Sequence, residues 1–347
     1  MKGNATTDDL VTVVIPARNE EGFIGRCLDS ILTQDHAALQ IVVVDGASTD
    51  RTVEIVRGYA ERDPRVECLS NPDAIIPKSM NLALAAARGR WLVRVDGHAA
   101  IPPHYVRRAV DDLRSGSWGG VGGRKDGIGV TRAGKAIAAA MASPFGVGNS
   151  TYHFGTSPQP VDHVPFGAYP VALARKLGGW DERLRVNQDF EFDYRVRAAG
   201  HQILFDPELV IGWECRQHVG DLFKQYRRYG RGKTWVALLH PDSLQPRHLV
   251  APVLVGGWAE GLALGLRWHW ILAVAFLPYL LGLSVATALT ARKVSWRSWA
   301  FIPGAFVAMH VGWGLGFWEG ATHIFRGRFN GELRRFFAAN PVPSSVS

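Results

Sequence analysis

Cysteine is scarce in this chain: Cys27, Cys68 and Cys215 are all there is among 347 residues, and no C-x-x-C spacing occurs. An odd, scattered set excludes a disulfide framework and a thiolate zinc site and fits a reducing compartment. Met1 to Leu10 is polar and lacks an apolar h-region, so it does not read as a secretory signal, and the N-terminal part is expected in the cytoplasm. No G-x-G-x-x-G follows the first apolar run, which argues against a dinucleotide-dependent oxidoreductase. The run Gly119-Gly120-Val121-Gly122-Gly123 comes far later, with no phosphate-binding helix evident behind it. A sugar nucleotidyltransferase would need a glycine-rich basic loop after the first strand; that position reads Pro16-Ala17-Arg18-Asn19, with no glycine before Gly22. No recognised nucleic-acid-binding module is present either, so the net charge of +8 points to membrane flanks and phosphate-bearing ligands, with no nucleic-acid partner.

What is present divides near residue 247. Before it, apolar runs alternate with helical stretches. Val11–Pro16, Ile41–Val44, Val66–Ser70 and Trp91–Val95 read as strands; Glu20–Gln34, Thr49–Ala60 and Pro77–Arg88 read as helices. Such alternation predicts an α/β fold with a mostly parallel sheet covered on both faces, and ligands at the carboxyl ends of its strands. After residue 247, Trp270–Thr290 and Trp299–Trp318 run without a formal charge, each long enough for a hydrocarbon core of about 30 Å. Leu249–Leu266 is a weaker third span; its Gly257, Gly261 and Gly265 share one helical face and suit close packing against another membrane helix. Trp268, Trp270, Trp296, Trp299 and Trp318 are expected as interfacial anchors. Arg292, Lys293 and Arg297 favour a cytoplasmic loop, whereas Arg326, Arg328, Arg334 and Arg335 favour a cytoplasmic tail; a single simple span between them satisfies only one, leaving a re-entrant or interfacial segment open. The expected organisation is a cytoplasmic domain over residues 1–247, two or three membrane helices over 248–320, and a basic tail over 321–347.

Polar turns close the strands. Asp45, at the second strand end, can accept hydrogen bonds from a nucleobase N–H or ribose hydroxyls; Ser48 and Asp50 beyond it equally suit helix capping. The fourth strand runs into Asp96-Gly97-His98, two ligand-capable side chains on one face with a glycine between them that would admit a diphosphate. Oxygen ligands suit magnesium and an imidazole shifts preference towards manganese, although a lone histidine is commonly structural. Asn187-Gln188-Asp189-Phe190-Glu191-Phe192-Asp193 opens a helix with an acidic cluster, which serves either the helix dipole or, through Asp189, a general base; Glu191 and Asp193 are alternative carboxylates. Gln225-Tyr226-Arg227-Arg228-Tyr229 reads as a juxtamembrane basic stretch, as an acceptor and diphosphate contact, or as both.

In order and spacing, these segments resemble the family 2 glycosyltransferases of GT-A fold, and within them the succinoglycan-type bacterial glucosyltransferases that build exopolysaccharide repeat units. The resemblance spans roughly residues 10–235. It is carried by Val14–Glu20, Val43–Asp50, Val93–His98, Ser143–Asn149, Phe166–Tyr169 and Asn187–Asp189. It implies that Pro16, Arg18, Glu20, Asp45, Lys78 and Asp96 bind the nucleotide-sugar, and that Asp96 and His98 hold a divalent metal, Mn or Mg. It further implies that Asp189 is the base, and that Gly167, Ala168, Gln188, Gln225, Arg228 and Tyr229 lie by the acceptor and diphosphate. His98 replaces the family's second acidic ligand, Gln188 its first base-motif carboxylate, and Tyr229 the tryptophan of processive members. The implied reaction is an inverting transfer of a hexose, glucose on a UDP carrier, to a lipid-linked saccharide at a cell membrane. The remaining alternative is a non-catalytic nucleotide-binding scaffold, which loss of the base or metal residues would have favoured.

Overall fold

The computed structural model describes residues 9–339. In chain order its elements begin with β1 (Val11–Ala17), α1 (Ile24–Leu32), β2 (Leu39–Asp45), α2 (Thr52–Arg62), β3 (Val66–Ser70), α3 (Ile76–Ala86), β4 (Trp91–Arg94), β5 (Ala99–Ala100), α4 (Tyr105–Ser115) and β6 (Trp118–Ile128). They continue with α5 (Arg132–Met141), α6 (Pro144–Val147), β7 (Gln159–Val161), β8 (Ala168–Pro170), α7 (Val171–Lys176), α8 (Gln188–Ala198) and β9 (Gln202–Glu214). The last are α9 (Val219–Leu239), α10 (Pro246–Gly265), α11 (Trp270–Ala291), α12 (Ile302–Asn330) and α13 (Glu332–Ala338). Two compact units result: the described part of Met1–Lys125 with Gly155–Trp213, and Asp126–Phe154 with Glu214–Ala338.

The first unit is built on one sheet of order β3-β2-β1-β4-β8-β6-β9-β5, with β7 beside β9. Residues 11–94 supply its parallel part, β1 pairing in parallel with β2 and β4, and β2 with β3. Beyond β4 the sheet is antiparallel: β8 pairs with β4 and β6, and β9 with β5 and β7. The sheet is therefore mixed. Helices still separate several of the later strands, but β5, β7 and β8 pair antiparallel with their neighbours, so the crossovers that make a parallel sheet end at β4. Strand alternation sorts the core into two layers. Val11, Val13, Ile15, Ile41 and Val43 face α1, α2 and α4, while Val14, Val42, Val44 and Leu92 face α3, α7 and α8. Helices α1 and α2 start a few residues later than periodicity indicates, because the intervening groups bond across to each other. Glu20 N–H donates to Thr52 Oγ1 (2.8 Å), Glu21 N–H to Asp50 Oδ2 (3.1 Å), and Arg51 N–H to Glu21 Oε2 (3.1 Å).

In the second unit three helices are long and apolar enough to cross a membrane: Pro246–Gly265, Trp270–Ala291 and the stretch Trp296–Arg328. Residues 321–330 of the expected tail continue α12, and 340–347 lie outside the described residues. Of the glycine stripe on α10, Gly261 and Gly265 do face α11, at Ala275 and Leu272, but Gly257 faces open space. A second stripe carries closer packing. Gly312, Gly316 and Gly320 of α12 lie against the backbone of α9 at Phe223, Arg227 and Arg231, and Gly230 of α9 against that of α12. Tryptophan indoles add hydrogen bonds between helices. Pro252 has no N–H to offer the His248 carbonyl four residues back, and Trp313 Nε1 donates to that carbonyl (3.0 Å). Trp318, partly exposed at the protein surface, donates to the Pro252 carbonyl (2.9 Å), and Trp258 to Ala275 (3.0 Å).

A Cβ at position 316 would meet the Arg227 backbone, which a helix cannot move cheaply. Gly316→Val is expected to destabilise the full-length protein by about 1–3 kcal/mol, the usual cost of overpacking. Gly257→Ala, with nothing nearby, should leave thermal unfolding in detergent unchanged or slightly later. Equal unfolding midpoints for wild type and Gly316→Val would remove the close α9–α12 contact.

Candidate active site

The expected residues of the first unit converge on one sheet edge. It is formed by the C-terminal ends of β1, β2 and β4 and, since β8 runs antiparallel to β4, by the start of β8; Val93 registers with Ala168 and the Arg94 N–H donates to the Gly167 carbonyl (3.3 Å). The backbone is strained along this edge. Among the described residues, the non-glycine positions with left-handed φ are Asn19, Ala47, Ala74, Phe166 and Asn187, in the turns after β1, β2 and β3 and just before β8 and α8. Each such residue costs about 1–3 kcal/mol, and clusters of them mark sites where geometry is held for function.

On the β1–β2 side, Asn19 knits the two turns together: its N–H donates to Ser48 Oγ (2.9 Å) and its Oδ1 accepts from the Thr49 N–H (2.8 Å). Pro16 registers with Val44, Arg18 is exposed, and Asp45 is buried, its carboxylate accepting the Ser48 N–H at 3.2–3.3 Å. Asp50 accepts the Thr52 N–H (3.0 Å) and the Glu21 N–H, the structural role its sequence position allowed. Lys78 on α3 is ion-paired with Asp73.

At the end of β4, Asp96 and His98 are each held by a second side chain. Arg94, two residues before Asp96 on the same strand face, is buried and donates from Nε to Asp96 Oδ1 (2.9 Å). Its Nη1 is buried without a hydrogen-bond partner among the described residues. Although burial opposes charge, the carboxylates of Asp96 and Asp189 keep this guanidinium's pKa raised. His98 Nδ1 lies 2.9 Å from Glu20 Oε1. Its pKa is raised in spite of burial, by that hydrogen bond and by the charge of Asp96. The glycine between them also makes room for Glu20: a Cβ at Gly97 would sit 3.1 Å from the side chain of the residue that orients His98.

A carboxylate oxygen of Asp96 outside the Arg94 bond and the second imidazole nitrogen of His98, oriented by a carboxylate, form a donor pair suited to a divalent cation. Among the described residues no group of three or more His, Cys, Asp or Glu is placed to hold a metal, so such a cation would need further oxygen ligands from elsewhere.

The three carboxylates of α8 separate cleanly. Glu191 is buried in a two-bond ion pair with Arg195 (2.6 and 2.8 Å). Asp193 is fully buried and accepts from Tyr169 Oη (2.7 Å) and the Val164 N–H (3.0 Å), with His163 Nδ1 at 2.7 Å. Asp189 is half-buried, and its carboxylate accepts from the N–H of Phe190 (2.8 Å). Burial would raise its pKa, but His163, Arg94 and Lys125 more than offset this and hold the carboxyl below its usual range. Gln188 is buried beside it, and Ala168 lies in the sheet between Val93 and Val121.

The family model for Glycosyl transferase family 2 matches residues 12–176. Succinoglycan biosynthesis protein ExoA of Rhizobium meliloti (strain 1021) is 31% identical over 329 residues, 92% of this chain and 97% of that protein. The chain belongs to glycosyl transferase family 2. As a glycosyltransferase it has solved neighbours of the same GT-A fold. Mannosyltransferase PcManGT from Pyrobaculum calidifontis, solved with GDP-Man and Mn2+, superposes with a TM-score of 0.54 at 21% identity over 88% of both chains. S. aureus TarS, solved with UDP-GlcNAc, gives 0.53 at 17% identity over 90% of this chain and 92% of its own.

Two residues whose charges act on Asp189 escape a motif search. Arg94 had a signal, since period two places it on the face of Asp96. Lys125 had none: it follows a glycine-rich run, and only folding brings its Nζ over the rings of Trp213 (3.8 Å) and Phe166 (5.1 Å). Gln225, Arg228 and Tyr229 belong to the second unit, on α9. Gln225 is buried and donates to Tyr229 Oη (2.8 Å), its Oε1 lacking a partner among the described residues, while Arg228 is exposed with its guanidinium 6.0 Å from the Tyr229 ring.

The division among the α8 carboxylates is testable by stability alone. Asp193→Ala strands His163 and Tyr169 in the core and is expected to cost about 3–5 kcal/mol. Asp189→Asn, at a half-exposed position, should cost far less. Comparable losses in urea unfolding for both variants would contradict this assignment.

Proposed function

We propose that this glycosyltransferase is an inverting hexosyltransferase, moving glucose from a UDP-linked donor to a lipid-linked saccharide in cell-surface polysaccharide synthesis. Its catalytic part would be residues 1–247 on the cytoplasmic side of the membrane, with 248–320 as anchor and 321–347 as basic tail. One observation carries the reading: Arg94 bonds Asp96 on the donor side, and its charge acts on Asp189, the one α8 carboxylate not spent in a buried ion pair. Donor leaving group and acceptor base would thus share one buried cation. The relative named for succinoglycan biosynthesis supports a polysaccharide product, and the three apolar helices support an acceptor carried on lipid.

In this reading the turns holding Pro16, Arg18, Glu20, Asp45 and Lys78 cradle the nucleotide, and Gly167, Ala168 and Gln188 border the acceptor. Asp96 and His98 would hold a divalent cation, Mn or Mg, which neutralises the diphosphate as it leaves. The positive charges of Arg94 and Lys125 would help to offset the charge of the diphosphate. Asp189 is ionised, the state needed to take the acceptor hydroxyl's proton while that oxygen attacks the anomeric carbon. Its lowered pKa makes it a weak base until the donor binds. A diphosphate beside Arg94 and Lys125 offsets the charges that depress it, and raises it towards working pH. The roles given to Gln225, Arg228 and Tyr229 rest on the family pattern.

Asp189→Asn keeps shape and removes basicity; single-turnover transfer from labelled donor should fall by about 10²–10⁴-fold while calorimetric donor affinity does not fall, and rises as far as the carboxylate opposes the diphosphate. Normal transfer in this variant would rule out the assigned base. A second measurement follows from the depressed pKa. The acid limb of kcat, set by the donor complex, should lie at higher pH than that of kcat/KM for the donor, set by free enzyme. Lys125→Met removes a cation near Asp189 and should move the free-enzyme limb upward in pH; a downward shift would contradict the electrostatic account. In the metal arm, donor binding should weaken in excess chelator for wild type and become chelator-insensitive in Asp96→Ala.

A further inference from the structure

Three helices of the second unit are long and apolar enough to cross a membrane, but their surroundings differ. Along α11 only Ala286 and Thr290 are buried, and Val274, Leu277, Leu281, Val285 and Leu289 are each more than half exposed. An exposed apolar face of that length suits hydrocarbon. The first turns of α12 are the opposite case: Ile302, Ala305, Phe306, Ala308 and Met309 are at most 5% exposed. Protein neighbours therefore account for the absence of charge there, with no need of a bilayer.

The neighbour along one side is α9, which follows α12 in the same direction. A Cβ at Gly304 would lie 3.7 Å from Val219 Cγ1, a Cβ at Gly316 would meet the Arg227 backbone, and the Trp235 ring is 5.8 Å from that of His323. From Gly304 to His323 is about 28 Å of helix, close to the ~30 Å of a hydrocarbon core. Whatever depth α12 reached, α9 would be carried to the same depth. Yet α9 bears Asp221, Lys224, Arg227, Arg228 and Arg231, and its four basic side chains here are exposed. Arg227 donates from Nε to Glu319 Oε1 of α12 (2.8 Å), and both side chains stay partly open to solvent. Charged side chains at membrane depth are expensive, and those that occur face a bundle interior or an aqueous cavity; the charges of α9 are on its outer surface.

We propose that only the α10–α11 hairpin crosses the membrane, and that α12 stays on the side of α9, packed among α5, α9, α10 and α11. The proposal rests on the reading of the apolar helices as a membrane anchor, and narrows that anchor to residues 246–291. It also removes a conflict between charges. Arg292, Lys293 and Arg297 before α12 and Arg326 and Arg328 near its end now flank the membrane on one side.

Sealed membrane vesicles of each orientation, carrying full-length protein and treated with a membrane-impermeant maleimide, test this by peptide mapping of cysteines introduced one at a time at exposed positions. Mapping separates these from the native Cys68, and Cys27 and Cys215 are buried. Lys224→Cys on α9, Arg297→Cys before α12 and Arg328→Cys near its end should all label from one face. Arg267→Cys, in the exposed turn between α10 and α11, should label only from the other. Labelling of Arg328→Cys or Lys224→Cys from the face opposite Arg297→Cys would overturn the proposal and leave the anchor reading intact. Labelling of all four from a single face would remove the crossing itself, and the anchor reading with it.

Discussion

A guanidinium buried at the end of a sheet strand is costly unless carboxylates compensate it, and Arg94 occupies such a place. Its needs organise what surrounds it. Asp96 is turned back to accept from it, Asp189 is held ionised partly by its charge, and the Phe166 ring lies 5.7 Å below it. One N–H group still lacks a partner among the described residues, so the guanidinium is not fully satisfied by Asp96. The strained turns at Asn19, Ala47, Phe166 and Asn187 fit the same picture, with local cost accepted so that side chains from distant segments point at one volume.

Around that point the acidic residues divide by task. Asp193, with His163 and Tyr169, ties the middle of α8 to β8, and Trp180 stacks on Phe192 (4.3 Å). Glu191 is paired with Arg195, whose other N–H groups reach the Leu177 and Gly179 carbonyls. These buried pairs make the frame rigid, and a rigid frame is what allows Asp189 to stay unpaired without the helix start collapsing onto it. Glu20 serves similarly on the other side, orienting His98 across the space that Gly97 leaves open.

The second unit obeys different rules. Close backbone approach at Gly312, Gly316 and Gly320 joins α12 to the charged helix α9, and indole-to-carbonyl bonds join α12 to the apolar α10. The Arg227–Glu319 ion pair adds a link between α9 and α12, and the Tyr279 hydroxyl, 3.0 Å from His310 Nδ1, joins α11 to α12.

The sequence by itself determined the parallel strands, their two-faced burial and the polar turns at their ends, because period-two alternation and β-branched runs are local properties. It likewise determined the apolar helices, whose length and lack of charge need no partner to be read. It did not determine that the sheet turns antiparallel after β4, since strand direction depends on pairing between segments far apart in the chain. Nor could it say which α8 carboxylate is open: Asp189, Glu191 and Asp193 are equivalent as letters and differ only in what folds against them. Lys125 came to lie near Asp189, and the α12 glycines rather than Gly257 became a contact, for the same reason. Tertiary structure decided which groups had their charges and hydrogen bonds already satisfied, and chemistry falls to those that do not.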